Sequence, residues 1–241
     1  MNNIFSFFKA PIYIEGKALK KSVIIEQAYT IIISEQYKQL CEQLQSLKTE
    51  KEQREFKAAK FDFFTFSGTF KYRAEAGLIE RSIYICLDFD HVGGPEQLKK
   101  LIARILEHLT PVLMFVSPRG EGLKVVVCVN PDEAEHKEYF AALERLFNEI
   151  VLQEIMDTNN KQLRVDPSGK DIPRPCFLSY DPQAFKSDTP TIFDRALIDT
   201  FSGIGKSNPG QPHPEQTAET LEQIEQIFLF IRDFHSGNYP Y

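Results

Sequence analysis

Two aspartates, Asp88 and Asp90, close the apolar run SIYICLDFD at residues 82–90. A short run rich in β-branched and aromatic residues predicts a buried strand, and side chains on a strand alternate between its two faces. Asp88 and Asp90 are therefore predicted to point the same way, where their charges repel unless a cation lies between them. Because hard divalent ions take carboxylate oxygens, the pair indicates a metal site. The alternative is that one aspartate caps the next helix and the other is solvated.

A third carboxylate, Asp166, lies far along the chain, eight residues before Arg174. Three carboxylates would suit a two-metal phosphoryl-transfer site, in which Mg²⁺ or Mn²⁺ ions about 3.5–4 Å apart clamp the attacking and leaving oxygens. Arg174 could hold a triphosphate through forked hydrogen bonds. Turn formation alone also explains Asp166, since the neighbouring Pro, Ser and Gly residues all favour turns.

The segment SPRGEGLK at residues 117–124 is predicted to bring an anion site to the same place. Its glycines, Gly120 and Gly122, would let backbone N–H groups approach a phosphate closely, and Arg119 and Lys124 would supply positive charge. An ordinary hairpin turn explains the same residues equally well.

Alternating strands and helices are predicted to bring these segments together. The predicted helices are residues 97–109 and 131–156, and the predicted strands are residues 82–90, 112–116, 123–129, 163–166 and 176–180. This order is that of the split βαβ in ferredoxin-like and RNA-recognition-motif folds. We therefore predict an α+β fold with a βαββαβ core, in which helices cover one face of an antiparallel sheet.

The predicted catalytic domain covers residues 1–201, with an N-terminal α/β extension at 1–80 and the core at 81–185. Residues 202–216 are dense in Gly, Pro and Ser and are predicted to be a linker. Residues 217–241 are predicted to form a C-terminal helix. Its apolar stripe would pack back on the domain, pair with a partner or begin a further domain.

The composition is that of an ordinary soluble globular protein, with 42% hydrophobic and 26% charged residues. No apolar run reaches the ~18 residues needed to span a bilayer, and no secretory leader is evident, so we predict a cytoplasmic protein with no membrane partner. A net charge of −6 argues against a uniformly basic nucleic-acid-binding protein. Residues 48–73 nevertheless carry an excess of positive charge, which fits either a solvated helix or a backbone-binding face. The four cysteines form no CxxC pair and predict neither a zinc site nor a disulfide framework.

The motifs ICLDFD, SPRGEGLK and VDPSGKDIPRPCFLSYDP, in this order and spacing, resemble the N-terminal domain of VirE-type proteins. That group is similar to a divergent branch of the archaeo-eukaryotic primase superfamily. The resemblance extends over roughly residues 50–185, and the upstream KAAKFDFFTFSGTFKYR is also similar to the family. It implies a primase-polymerase fold and a metal-dependent nucleotidyltransferase that acts in DNA replication or priming of bacterial mobile elements.

The resemblance also implies roles for individual residues and for partners. The implied catalytic and metal-binding residues are Asp88, Asp90 and Asp166, and the implied nucleotide-binding residues are Ser117, Lys124 and Arg174. The turn glycines Gly120 and Gly122 are predicted to join this nucleotide site on the grounds given above. The implied partners are nucleoside triphosphates, a single-stranded DNA template and a helicase domain or protein. Two positions depart from the family: Lys124 stands where much of the superfamily has histidine, and Arg119 where relatives have a small hydroxyl residue.

Two other functions fit parts of the same pattern. One is a binding module that keeps the fold without catalysis and holds single strands or a partner. The aromatic residues of FDFFTF could stack on bases, but an aromatic stripe in a strand more often belongs to the core. The other is a haloacid-dehalogenase-like phosphatase, which also opens on an hhhDxD strand but requires a parallel sheet. His136 is predicted to be solvated or to cap a helix, and Asp181 to lie in a turn that ends a strand.

Overall fold

The computed structural model describes residues 2–12 and 20–202. Their strands are β1 (Phe5–Phe8), β2 (Lys20–Val23), β3 (Phe63–Thr65), β4 (Gly68–Phe70), β5 (Leu78–Arg81), β6 (Tyr84–Phe89), β7 (Leu113–Val116), β8 (Leu123–Val129), β9 (Cys176–Phe177), β10 (Phe185–Lys186) and β11 (Ile192–Phe193). Their helices are α1 (Ile25–Ile33), α2 (Lys38–Ser46), α3 (Glu50–Lys60), α4 (Pro95–His108), α5 (His136–Leu146) and α6 (Arg195–Ser202). None of these helices combines the length and the apolar character that a membrane span requires. The predicted linker and C-terminal helix lie outside the described residues, except that residue 202 ends α6.

The central sheet is built on β6, β7 and β8, and it confirms the predicted α+β class with antiparallel pairing. Strand β8 lies between β7 and β6 and runs antiparallel to both. Strand β10 extends the sheet beside β7, and the short β11 pairs in parallel with the end of β8. The antiparallel pairing of β6 does not fit the parallel sheet that the phosphatase alternative requires.

Both faces of the central sheet are buried, which explains why β8 has an almost continuous apolar sequence. On β6, Ile85, Leu87 and Phe89 face one way, into a core shared with α4, α5 and α6. Tyr84 faces the other way, into a second core formed with the N-terminal region. Asp88 belongs to this second face, because strand side chains alternate.

A second sheet, in the order β2-β1-β3-β9, covers that other face together with α1 and α2. The phenylalanines of FDFFTF supply its core: Phe61, Phe63, Phe64 and Phe66 are each at most 2% exposed. The interpretation of this stripe as core is therefore confirmed, and the base-stacking alternative is wrong, because the rings pack on other side chains such as Phe5 and Phe8. Strand β9 joins this sheet from the far end of the chain.

Three predicted elements differ from the structure. Residues 163–166 form no strand, because the Val165 amide donates to a side chain and Pro167 has no amide to continue a ladder. The predicted strand at 176–180 is only the two-residue β9, and it joins the second sheet rather than the central one. The second long helix begins at His136 instead of residue 131 and ends at Leu146, where a π-helical turn, Phe147–Val151, follows.

Candidate metal centre and cleft

Three carboxylates from two remote segments converge at the end of β6. Asp88 is the penultimate residue of this strand, Asp90 follows it, and Asp166 arrives from the connection after α5. One oxygen from each carboxylate lies within 4.8 Å of those of the other two. The structure thus brings together the three residues that the sequence singled out as metal ligands.

The backbone around Asp166 is held in place by β6 and by the π-helical turn. The Asp166 amide donates to the Asp88 carbonyl over 2.9 Å. One residue earlier, the Val165 amide donates to Oδ1 of the buried Asn148, at 3.0 Å. Asp166 Oδ1 in turn accepts from the Ser168 amide at 2.9 Å and caps a short 3₁₀ turn. These contacts replace the regular strand that the sequence predicted.

His136 anchors the same connection from the start of α5. Its ring is buried, and Nε2 lies 3.1 Å from the Gly169 carbonyl oxygen. Gly169 has no room for a side chain, because a Cβ there would lie 2.5 Å from the Phe140 ring. Burial lowers the pKa of His136 despite this contact. The prediction of a solvated or capping histidine is wrong; the ring braces the loop that carries Asp166.

The basic residues assigned to nucleotide binding lie against the carboxylates. Lys124 stands opposite Asp88 on β8, and its ammonium group forms an ion pair with Asp88 Oδ2. Arg174 donates to Asp166 Oδ2 at 3.0 Å. Burial acts to lower the pKa of Lys124, but the nearby Asp88 carboxylate more than compensates, so the pKa is raised.

The two paired carboxylates have opposite protonation tendencies. Burial raises the pKa of Asp88, and the charges of Asp90 and Asp166 act in the same direction, against the effect of Lys124. Burial also acts to raise the pKa of Asp166, but the contact with Ser168 and the Arg174 charge outweigh it and hold that pKa below its ordinary value.

The carboxylates fit a hard divalent cation. Asp88 Oδ1 is buried and has no hydrogen-bond partner among the described residues, which is a costly state for an anionic oxygen. Two oxygens bound to one Mg²⁺ lie at most about 4.2 Å apart. Small side-chain rotations would therefore bring Asp88, Asp90 and Asp166 onto one ion. Asp88 Oδ1 is the group in this trio that most clearly lacks a partner.

The hairpin between β7 and β8 lies beside the metal centre, but the backbone amides of Ser117 and Gly120 donate hydrogen bonds within the turn rather than toward the site. The Ser117 amide donates to the Gly122 carbonyl and the Gly120 amide donates to the Ser117 carbonyl, both at 2.8 Å. A Cβ on Gly122 would lie 2.7 Å from the Phe89 carbonyl oxygen, so glycine permits the turn to pack against β6. Asp181 fixes the strand end before this turn by accepting from the Val116 amide at 2.8 Å.

A cleft opens next to Asp88 on the face of the sheet that meets the N-terminal region. Its wall includes Asp88, Lys124, Ser168, Arg174, Cys86 and Cys176. Ser117, Gly120 and Gly122 are not part of this wall. The predicted site therefore divides into a carboxylate–cation cleft and a neighbouring hairpin that supports the end of β6.

Two residues near the site, Lys57 and Ser168, were not assigned roles from the sequence. Lys57 on α3 lies over the Phe177 ring at 5.7 Å, and burial together with Arg119 and Lys124 lowers its pKa to about 8. Arg119 Nε and Ser168 Oγ are buried without hydrogen-bond partners among the described residues. The only signal for Lys57 was the basic run at 48–73. The sequence could not indicate which lysine of that run turns toward the carboxylates.

Comparison with known proteins identifies a family for this chain. A family model described as BT4734-like, N-terminal domain, matches residues 56–185, which include the three carboxylates and the cleft. No curated protein and no solved structure matches the chain. Because the match covers more than half of the 241 residues, the chain belongs to the BT4734-like N-terminal domain family.

Proposed function

We propose that this protein is a metal-dependent nucleotidyltransferase of the primase-polymerase type, which makes or extends a primer on a single-stranded DNA template. The convergence of Asp88, Asp90 and Asp166 beside a cleft that also contains Lys124 and Arg174 carries the proposal. Phosphoryl transfer uses carboxylates that hold metal ions beside cationic side chains that bind phosphate oxygens.

The arrangement of the central sheet supports the proposed fold. The order β6, α4, β7, β8, α5, with β8 between β7 and β6, is the order expected of a ferredoxin-like or RNA-recognition-motif-like core. The motif resemblance to VirE-type proteins and primases adds to this support. A helicase domain or protein and the setting of mobile-element replication follow from that resemblance and form part of the proposal.

In the proposed reaction, the chain's own residues bind the nucleotide and position it. Divalent cations held by the carboxylates would stabilise the charge that develops as a primer 3′-hydroxyl attacks the α-phosphate. Lys124 and Arg174 would exchange their carboxylate partners for phosphate oxygens of the triphosphate. Lys57, which interacts electrostatically with Arg119, Lys124 and two of the carboxylates, would add positive charge near the site. Arg119 would add more, and its Nε lacks a partner among the described residues.

Primer synthesis tests the proposal directly. The full chain, Mn²⁺ or Mg²⁺, a single-stranded DNA template and labelled nucleotides should yield metal-dependent product. Asp88→Asn and Asp166→Asn should each abolish it. Asp188→Asn is the matched control, because Asp188 pairs with Lys186 at an exposed position and should leave synthesis unchanged. A wild-type protein with no product, or with product that survives Asp88→Asn, would contradict the proposal.

The ion pairs themselves favour one alternative, a nucleic-acid-binding or partner-binding module without catalysis. Lys124 and Arg174 already neutralise Asp88 and Asp166, so the trio could be a structural network that needs no metal. Two measurements distinguish the binding module from the enzyme: calorimetry of Mn²⁺ binding and the binding of a labelled single-stranded DNA. Strand binding without metal uptake would favour the module, whereas metal uptake that Asp88→Asn eliminates would favour the enzyme.

A further inference from the structure

Two cysteines face each other in the wall of the cleft. Cys86 lies on β6 in the central sheet, and Cys176 lies on β9 in the second sheet. They are 90 residues apart in the chain, yet their Sγ atoms are 3.8 Å apart, and both line the cleft. The sequence had given no indication of this pair, because neither cysteine has a cysteine near it in the chain.

The environment of this pair differs from that of the other two cysteines. Cys41 and Cys128 are buried in the apolar core, as Cys176 is, but neither of them lines the cleft. Cys86 is partly exposed and lines the cleft. Cys176 is buried directly behind it, in the position of a second thiol that can complete a disulfide.

We propose that Cys86 and Cys176 form a reversible disulfide that weakens cation binding by the carboxylates of the cleft. A low-molecular-weight disulfide such as oxidised glutathione is the oxidant. The Cys86 thiolate attacks one of its sulfurs and releases one small thiol; the Cys176 thiol then attacks the mixed disulfide, forms the protein disulfide and releases the second. Two electrons and two protons leave the protein dithiol, and the small disulfide is reduced to two thiols.

The disulfide would move groups next to the metal centre. A disulfide bond is about 2.05 Å long, so the sulfur atoms must approach each other from 3.8 Å. Cys86 precedes Asp88 by two residues on the same face of β6, and Cys176 follows Arg174 by two residues. We expect β6 and β9 to follow the sulfur atoms in part, which would shift both carboxylate–cation pairs. The consequence for cation binding rests on the proposed function, whereas disulfide formation does not.

Thiol counting on the full chain tests the disulfide. Reduced wild-type protein should take up four equivalents of a maleimide under denaturing conditions, one for each cysteine. After oxidised glutathione it should take up two, and peptide mapping should find Cys86 joined to Cys176. A phosphine reductant should restore all four.

Single alanine variants supply matched controls. Cys41→Ala and Cys128→Ala should still lose two reactive thiols on oxidation, and Cys86→Ala and Cys176→Ala should not form an intramolecular disulfide. Four reactive thiols in oxidised wild-type protein, a stable glutathione adduct, or a cross-link between any other pair would overturn the proposal. The wild-type peptide map decides the question even if one variant fails to fold.

Mn²⁺ calorimetry tests the consequence separately. Oxidised wild-type protein should bind Mn²⁺ about tenfold more weakly than reduced protein, as displaced neighbours of metal ligands commonly cause. Oxidant should not change the affinity of Cys86→Ala. Equal Mn²⁺ affinity of the oxidised and reduced proteins would contradict the proposal that the disulfide affects cation binding. If neither state binds Mn²⁺, the proposed enzyme fails with it, and the thiol count still reports independently on the disulfide.

Discussion

The two carboxylate–cation pairs of the cleft use similar groups in different surroundings. In the Asp88–Lys124 pair the side chains are only 18% and 12% exposed, whereas in the Asp166–Arg174 pair they are 23% and 47% exposed. The pKa of Asp88 is raised and that of Asp166 is lowered, each for the causes given above. Pairing with a cation therefore does not decide protonation here. Burial and the neighbouring carboxylates outweigh the cation at Asp88, whereas Ser168 and the cation together outweigh burial at Asp166.

This difference indicates which ligand depends most on a metal. The protein itself stabilises the ionised form of Asp166 through Ser168 and Arg174. Asp88 has Lys124 on one oxygen and no partner among the described residues on the other. A divalent cation would therefore gain most of its electrostatic stabilisation at Asp88, and Asp166 acts as a ligand that is already ionised and fixed in position.

The largest expected effect comes from breaking the buried pair. Lys124→Met leaves Asp88 without its cation in a largely buried position, and we expect the free energy of unfolding at neutral pH to fall by about 3 kcal/mol. Adding Asp88→Asn to Lys124→Met should recover most of that loss, because no unpaired charge then remains. Urea unfolding of both variants measures the difference.

An exposed pair provides the control for this experiment. Lys186→Met removes the partner of Asp188, whose side chain is 88% exposed, and should cost at most about 1 kcal/mol. If Lys124→Met lowers the free energy of unfolding no more than Lys186→Met does, burial does not make the Asp88–Lys124 pair more important for stability than an exposed pair.

The next effect concerns what holds Asp166 in place. Asn148→Ala leaves the buried Val165 amide without its acceptor, so we expect a loss of about 2 kcal/mol in stability. Because the same contact positions Asp166, Mn²⁺ affinity should also fall about tenfold. Calorimetry of Mn²⁺ binding and urea unfolding measure the two effects. Asn159→Ala, an exposed asparagine on the same connection, should change neither.

The contrast between the pairs also shows what the sequence could predict. Strands β6 and β8 were predictable because their apolar runs match strand length. The spacing of Asp88 and Asp90 was enough to predict that their side chains point to the same face of the strand. The Lys124–Asp88 pair depends on the register between β6 and β8, which no local pattern reports. The roles of Asn148 and His136 depend on where a distant loop packs against α5 and the π-helical turn that follows it, and only the folded chain determines that.

A smaller effect is expected at the Asp166–Arg174 pair. Arg174→Met removes an ion pair whose arginine is nearly half exposed, so we expect a loss of only about 0.5–1 kcal/mol in unfolding free energy. Arg104→Met, which removes an exposed pair with Glu107 on α4, is the control for a purely surface ion pair. A loss as large as that of Lys124→Met would mean that the two pairs do not differ as described.

The smallest effect is a difference in pH dependence between the two carboxylates. The folded pKa of Asp166 is below its ordinary 3.8, so its ionisation stabilises the fold above about pH 4, and this contribution is lost as the pH falls through the folded pKa. The folded pKa of Asp88 is above 3.8, so its contribution is present below that pH and declines as the pH rises through the folded pKa. Carboxyl ¹³C titration should place Asp88 above Asp166. The stability gap between wild type and Asp166→Asn should narrow below about pH 4, and the reverse order of titration would contradict the comparison.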